Sequence, residues 1–289
     1  MKRIVVPTDF SECSMSALKV ATQIADKIDA VISIVHTYEL PIYGFTSGQL
    51  MYDGNELGKV KQEINEELQR IADLDFIQDQ TVERFLLPEY SVDQIVEHEL
   101  LKTADLIVMG TNGTNGVGED IIGSNTEKII RKSECPVLAI REGAEKTFNP
   151  HKMVFASTFY GEVYDRFDAI KKFAQLFNSE IHLLHVNTPS DFMTTEVSDN
   201  LMNSFKEKFG LSLATINVYN DETIEDGVLN FSRRIGADII AMETHGRTGI
   251  KHILNGSITE DVANHTRLPV LTFKIKKQKK GKGVIFPDA

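Results

Sequence analysis

"MGTNGTNGVGEDIIGSN" (Met109–Asn125) holds five glycines and follows the apolar run Leu106-Ile107-Val108. "METHGRTGIKHILNGSI" (Met242–Ile258) repeats its spacing later in the chain, with Glu243 where the first stretch has Gly110. Around these stretches, residues 104–140 align with 237–273 at an offset of 133, with 14 identities in 37 pairs. The identities include Ala104-Asp105, Gly113, Gly123-Ser124, Thr126-Glu127 and Pro136-Val137-Leu138. Nearer the N-terminus, residues 2–36 align without a gap to 151–185 at an offset of 149, by pattern more than by identity. "RIVVPTDF" faces "KMVFASTF", and His36 faces His185. The offset falls from 149 to 133, so the first copy carries about 16 additional residues in its middle. A repeat this long is a duplicated domain, not a solenoid. The seam falls near 142–150, a polar stretch with Gly and Pro.

Each copy alternates short apolar runs with helical spacing. Ile4-Val5-Val6 ends at Pro7; Met15, Leu18, Ala21, Ile24, Ala25 and Ile28 then recur at helical intervals. Val163, Phe167, Ile170, Ala174 and Phe177 do the same in the second copy. Val31–Val35, Val82–Leu87, Leu106–Met109 and Val137–Ile140 read as further strands, with helices near 92–102 and over 124–133. Short, nearly continuous apolar strands between helices indicate a parallel sheet covered on both faces. Ligands of such sheets bind at the carboxyl ends of the strands. Pro7-Thr8-Asp9, His36-Thr37 and Gly110–Gly113 are each read as following a strand.

The chain has 289 residues, enough for two ordinary domains, and no apolar run near the roughly 20 residues that span a bilayer. "MKRIVVPTDF" reads as an immediate first strand, so a cytoplasmic protein is expected. Cys13 and Cys135 read as buried or incidental thiols, not as a disulfide or metal site. A net charge of −11 argues against a general nucleic-acid binder. "KIKKQKKGK" (274–282), with six lysines in nine residues, reads as a solvated tail. Contact with an acidic partner, RNA or a membrane surface is the alternative.

Gly110 and Gly113 follow a strand, and Gly123 and Ser124 open a helix. Glycine lets the main chain approach a ligand, and a helix start offers N–H groups and partial positive charge, which suits phosphates. Ser124 with Glu127, and Ser257 with Glu260, also fit capping boxes, so both serines have a structural role open to them. Neither GxGxxG nor GxxxxGK[ST] occurs. The spacing Gly-x2-Gly-x9-Gly-Ser instead resembles the nucleotide-binding signature of the universal stress protein family. "VPTDFS" (Val6–Ser11), "LIVMGT" (Leu106–Thr111) and "CPVLAI" (Cys135–Ile140) are similar to that family's opening, middle and close. "HGRTG" (His245–Gly249) and "NGSITE" (Asn255–Glu260) repeat the style in the second copy.

The resemblance implies an α/β fold of two tandem Rossmann-like (adenine nucleotide alpha hydrolase-like) domains, each a five-stranded parallel sheet with helices on both faces. It places them at 1–145 and 150–276, with a basic tail at 277–289, packed as an intramolecular pseudo-dimer. It implies an adenine nucleotide as ligand: ATP, with AMP or ADP as alternatives and Mg2+ as an accompanying option. By carry-over, Pro7, Thr8 and the backbone of Thr37 line the adenine, and Asp9 bonds the adenosine part. From the residues alone, Asp9 serves equally as an Asx-turn or an N-cap. Met109, Gly110, Asn112 and Gly113 lie along ribose and phosphates, and Gly123, Ser124 and Asn125 bond phosphate oxygens. Asn112 stands where the family often has His, and Asn125 where a small aliphatic residue is common.

The second copy departs further, with Glu243 for Gly110, Thr158 for Asp9 and Ala156 for Pro7. A carboxylate 4 Å from a phosphate costs about 1–4 kcal/mol depending on local dielectric, so nucleotide is expected in the first domain and little or none in the second. His36 and His185 read as partly buried sheet-end residues. His245 and His252 lack convincing zinc spacing. Tyr38, Tyr43, Phe45 and Tyr52 fall in the longer middle of the first copy, as packing or as a lid. No catalytic residue or metal ligand is assigned. The expectation is an ATP-binding stress regulator with an unknown protein partner, an intramolecular pseudo-dimer that can also form a homodimer. The alternatives are an interaction scaffold without nucleotide and, behind it, an ATP hydrolase.

Overall fold

A computed structural model describes residues 1–39, 42–46, 49–89, 98–111, 124–146, 148–160, 163–244 and 258–274. The first half contains β1 (Arg3–Pro7), α1 (Glu12–Ile28), β2 (Val31–Glu39), β3 (Ile42–Thr46), β4 (Gln49–Tyr52), α2 (Gly54–Ala72) and β5 (Val82–Glu89). It continues with α3 (Glu99–Lys102), β6 (Leu106–Gly110), α4 (Ser124–Lys132) and β7 (Val137–Ile140). The second half contains β8 (Lys152–Ala156), α5 (Val163–Leu176), β9 (Glu180–Asn187), α6 (Thr195–Phe209) and β10 (Thr215–Asn220). After these come α7 (Ile224–Ile235), β11 (Ile239–Thr244), α8 (Ile258–His265) and β12 (Val270–Lys274).

Ten strands form one sheet in the order β10-β9-β8-β11-β12-β7-β6-β1-β2-β5. Within each half the five strands of this sheet are parallel. The halves meet at an antiparallel pair, β7 with β12, in which Leu138 opposes Leu271. The two closing strands thus pair within the chain, and neither presents an open edge. Alternating residues on the strands feed two faces. Ile4, Val6, Phe155 and Ile239 pack under α1, α2, α5 and α6 in one cluster that runs through both halves. On the other face Val5 and Ile107 pack with α3 and α4, while Val154 and Ile240 pack with α7 and α8.

The duplication appears bond by bond. The Asp105 carboxylate accepts from the amides of Lys2 (2.6 Å) and Arg3 (3.1 Å). Asp238 accepts from those of His151 (2.9 Å) and Lys152 (2.8 Å). These pairs tie the starts of β6 and β11 to the starts of β1 and β8, which gives the repeated Ala-Asp its physical reason. Phe10 and Phe159 both hold positive φ, 66° and 58°, in the turn from strand to helix. Such a conformation costs a bulky residue about 1–2 kcal/mol, so its repetition marks the turn as part of the fold. The cores differ in composition. Phe155, Phe159, Phe167, Phe205 and Phe209 form an aromatic cluster with centroids 4.7 Å apart for Phe167–Phe205 and 5.2 Å for Phe159–Phe205. The first half has Val6 and Leu18 where Phe155 and Phe167 stand.

Some sequence expectations shift. His36-Thr37 lies inside β2, which runs on to Glu39, and does not follow it. Tyr38 is also in β2, buried, with the Lys61 ammonium 5.1 Å from its ring centroid. The extra middle of the first copy is instead the β3–β4 hairpin, a two-stranded sheet of its own. Of the helix expected near 92–102, Glu99–Lys102 is described; 90–97 lie outside the described residues, as do 277–289 and all of the lysine segment after Lys274. Both cysteines are buried and unbridged, and burial pushes the Cys135 thiol up to about 11. No helix among the described residues is long and apolar enough to cross a membrane.

Side chains also clasp the seam. Arg141, just after β7, donates to the carbonyls of Thr266 (2.6 Å), Ala263 (3.5 Å) and Asn264 at the end of α8. Lys274, at the end of β12, donates to the carbonyl of Lys132 (3.1 Å) at the end of α4. The two cations stand 133 residues apart, so they are repeat equivalents acting reciprocally. Arg141→Met should lower the unfolding free energy by about 1.5–3 kcal/mol, the range for hydrogen bonds to a charged group, measured by urea denaturation.

Candidate functional site

In the first half the chain passes from β1 to β2 and β5 on one side, then returns to β6 on the other. The carboxyl ends of β1 and β6 therefore flank a crevice where the direction of winding reverses, the usual ligand position in such sheets. Thr8, Asp9 and Phe10 form one lip. The Asp9 Oδ1 accepts from the amide (3.1 Å) and hydroxyl (2.5 Å) of Ser11. Ser11 in turn caps α1 by accepting from the Ser14 amide at 3.2 Å. Asp9 thus makes the Asx-turn, and Ser11 is the N-cap. The Thr8 hydroxyl bonds Ser14 Oγ (3.0 Å) and accepts from the Phe10 amide (3.1 Å). His36 Nδ1 lies 2.8 Å from the Thr8 carbonyl, and its ring stacks on Phe10 with centroids 4.4 Å apart. β2 passes Val35, the partner of Pro7, so Thr37 stands beyond the end of β1.

Gly110 and Thr111 form the other lip. The Thr126 hydroxyl, in the first turn of α4, donates to the Gly110 carbonyl at 2.9 Å. That bond fixes the start of α4 against the end of β6 and holds together the two ends of the glycine segment. Thr259 does the same for Glu243, at 2.9 Å. Thr126 was among the repeated identities, and this shared bond is the signal that its identity carried. Among the expected site residues, Pro7, Thr8, Asp9, Thr37 and Gly110 gather at the carboxyl ends of β1, β2 and β6. Asn125 is exposed on the first turn of α4. Met109 is buried in the cluster of Val5 and Ile130, so only its main chain faces the crevice end. Asn112, Gly113 and Gly123 lie outside the described residues, as do the side chain of Ser124 and residues 245–257, with His245, His252, Gly246, Gly256 and Ser257.

Gly110 has a packing reason of its own. A Cβ built there would lie 2.9 Å from the Cys13 carbonyl carbon and 2.9 Å from its Sγ. The first turn of α1 occupies the space that a side chain would need. Register places Gly110, Thr8 and His36 in one row across β6, β1 and β2, and Glu243, Ser157 and His185 in the matching row across β11, β8 and β9. Glu243 is buried and accepts from the Ser157 hydroxyl at 3.1 Å. Burial pushes its carboxyl up to about 7, against the opposing pull of hydrogen bonds from Ser157 and Thr158. The second crevice therefore has a carboxyl in its floor where the first has main chain packed on a helix. Among the described residues no group of three or more His, Cys, Asp or Glu is placed to hold a metal.

Two outcomes follow from this geometry. Gly110→Ala should destabilise the chain by about 1–3 kcal/mol through overpacking against Cys13, seen as a lower urea midpoint at unchanged m-value. For Glu243, the folded state keeps a proton that the unfolded state has released between about pH 4.5 and 7. Stability should fall as pH rises across that window and level off above it. Glu243→Gln should flatten this slope and leave the variant more stable above pH 7 by on the order of 2–3 kcal/mol, measured by denaturation from pH 4.5 to 8.

Comparison with known proteins agrees with the duplicated fold. The model of the universal stress protein family matches residues 1–141 and again 167–274. A universal stress protein of Methanocaldococcus jannaschii is 32% identical over 142 residues, covering 49% of this chain and 82% of that protein. The crystal structure of a universal stress protein from Archaeoglobus fulgidus superposes with a TM-score of 0.71 at 19% identity, over 94% of this chain and 98% of that one. A Pseudomonas aeruginosa structure of the same family name gives 0.59 at 18% identity, over 95% and 94%. With matches in both halves and a shared two-domain architecture, the chain belongs to the universal stress protein family.

Proposed function

We propose that the first domain binds an adenine nucleotide, ATP foremost, and that occupancy regulates a partner in a stress response without useful turnover. The observation that carries this reading is the crevice between β1 and β6, with the start of α4 tied to its edge by Thr126. The first amides of a helix have no intrahelical partners, and the helix dipole favours an anion there. The Gly-x2-Gly-x9-Gly-Ser segment leads from the end of β6 to the start of α4. In this reading Pro7, Thr8, Asp9 and Thr37 face the adenosine end. Gly110, Asn112, Gly113 and the main chain of Met109 run beside ribose and phosphates. Gly123, Ser124 and Asn125 receive phosphate oxygens. AMP or ADP fits the same adenosine contacts, and Mg2+ arrives with the nucleotide.

The second domain is proposed to hold no polyphosphate. Glu243 fills the place of Gly110, and half or more of its charge remains above neutral pH. Isothermal titration with ATP should show one site per chain. Gly113→Val should weaken binding about tenfold or more by placing a branched side chain in the phosphate loop. Two sites per chain would overturn the assignment to one domain. A wild-type chain that binds neither ATP nor AMP would overturn the nucleotide reading in favour of an interaction scaffold. Steady phosphate release abolished by Asp9→Ala would overturn the regulatory reading in favour of an ATP hydrolase.

A further inference from the structure

The closing strands end in a pair of cations that the nucleotide reading leaves without a task. Lys274 belongs to the second domain, yet its ammonium lies 3.1 Å from the carbonyl of Lys132, the last residue of α4, and 3.1 Å from Glu134 Oε1. The other oxygen of Glu134 meets Arg166 of α5 at 3.4 Å, so the ammonium sits in a small network that spans the seam. A cation at a helix C-terminus complements the helix dipole. The remaining end of α4 is held by Thr126 on the Gly110 carbonyl. With nine residues, α4 is about 13 Å long, too short to be stable without fixed ends.

We infer that Lys274 is a positioning residue for the phosphate end of the first-domain site, acting from the second domain through α4. This rests on the nucleotide reading above. Lys274 touches no ligand: it holds the last turn of α4, and the first-turn amides are thereby kept in place before a phosphate arrives. The repeat supplies an internal control. Arg141 caps α8 across the same seam, in the same manner and from the equivalent position. α8 serves the crevice whose floor carries Glu243. If the two cations only glue the domains together, their removal should have equivalent effects. If Lys274 positions α4, only its removal should reach the phosphates.

The experiment compares wild type, Lys274→Met, Lys274→Arg and Arg141→Met. Amide hydrogen exchange without ligand should show faster exchange in α4 for Lys274→Met and in α8 for Arg141→Met. Titration with ATP should show about 2- to 5-fold weaker binding for Lys274→Met, the size of a helix-dipole contribution. Binding of adenosine should not change. Lys274→Arg should restore ATP affinity, and Arg141→Met should leave it at the wild-type value. Equal loss of ATP affinity in Lys274→Met and Arg141→Met, equal loss of adenosine binding, or no loss at all would overturn the inference alone. A wild-type chain that binds neither ligand would overturn the nucleotide reading and this inference with it, whatever the exchange rates.

Discussion

The antiparallel pairing of β7 with β12 is the contact on which the arrangement of the molecule depends. Each domain by itself would end its sheet in a four- or five-residue apolar strand with an open edge, a template for association. Leu138 against Leu271 closes both edges at once and makes one ten-stranded sheet. Because strands are parallel within each half and antiparallel at the seam, the carboxyl ends of the two halves point in opposite directions along the strand axis. The two crevices therefore face away from each other and cannot share a ligand. The same geometry brings the end of each closing strand beside the far end of the other domain's helix. That is where Arg141 and Lys274 make their reciprocal caps.

Within this frame the two crevices share a backbone and differ in what fills it. The bond from the Phe10 or Phe159 amide to the Thr8 or Ser157 hydroxyl, the positive φ of Phe10 and Phe159, and the threonine bond from Thr126 or Thr259 recur in both. The difference is concentrated in one row of side chains. In the first domain Gly110 lets the first turn of α1 close onto β6, so the floor is main chain and a thiol. In the second, Glu243 occupies that floor, supported by Ser157 and Thr158, and burial holds its carboxyl near neutrality. A duplicated scaffold can carry two electrostatic environments in this way, because the shared bonds are made by backbone and hydroxyl groups and the variable ones by a few positions at the strand ends.

Much of this was legible in the residues. The repeat of Ala-Asp, Thr-Glu and Pro-Val-Leu at a constant offset reported the duplication: Asp105 and Asp238 make the same bonds, as do Thr126 and Thr259, and Pro136 and Pro269. Short continuous apolar runs located the strands and the 3.6 period the helices, because a sheet covered on both faces buries successive strand residues while a helix buries one face. The strand-end crevice was legible where Pro7, Thr8, Asp9 and Gly110 follow or close short apolar runs. It was less legible where a residue serves two purposes: Gly110 read as a glycine for a ligand, and the structure gives it a packing role against Cys13. Tyr38 read as part of the inserted middle, and the structure extends β2 through it, since eight register pairs with β5 hold that strand to Glu39.

What the sequence determined alone is therefore the local and repeated content: two α/β units of alternating strands and helices, and the asymmetry announced by Glu243. Those features depend on contacts short in sequence or on patterns that any burial enforces. What only the tertiary structure decided is everything that links residues more than a hundred positions apart. The pairing of Leu138 with Leu271, the opposed crevices, the cation from each domain on the other's helix, and the buried carboxyl near pH 7 all arise from packing. No local pattern encodes them, because the energy of each depends on which distant surface removes it from water.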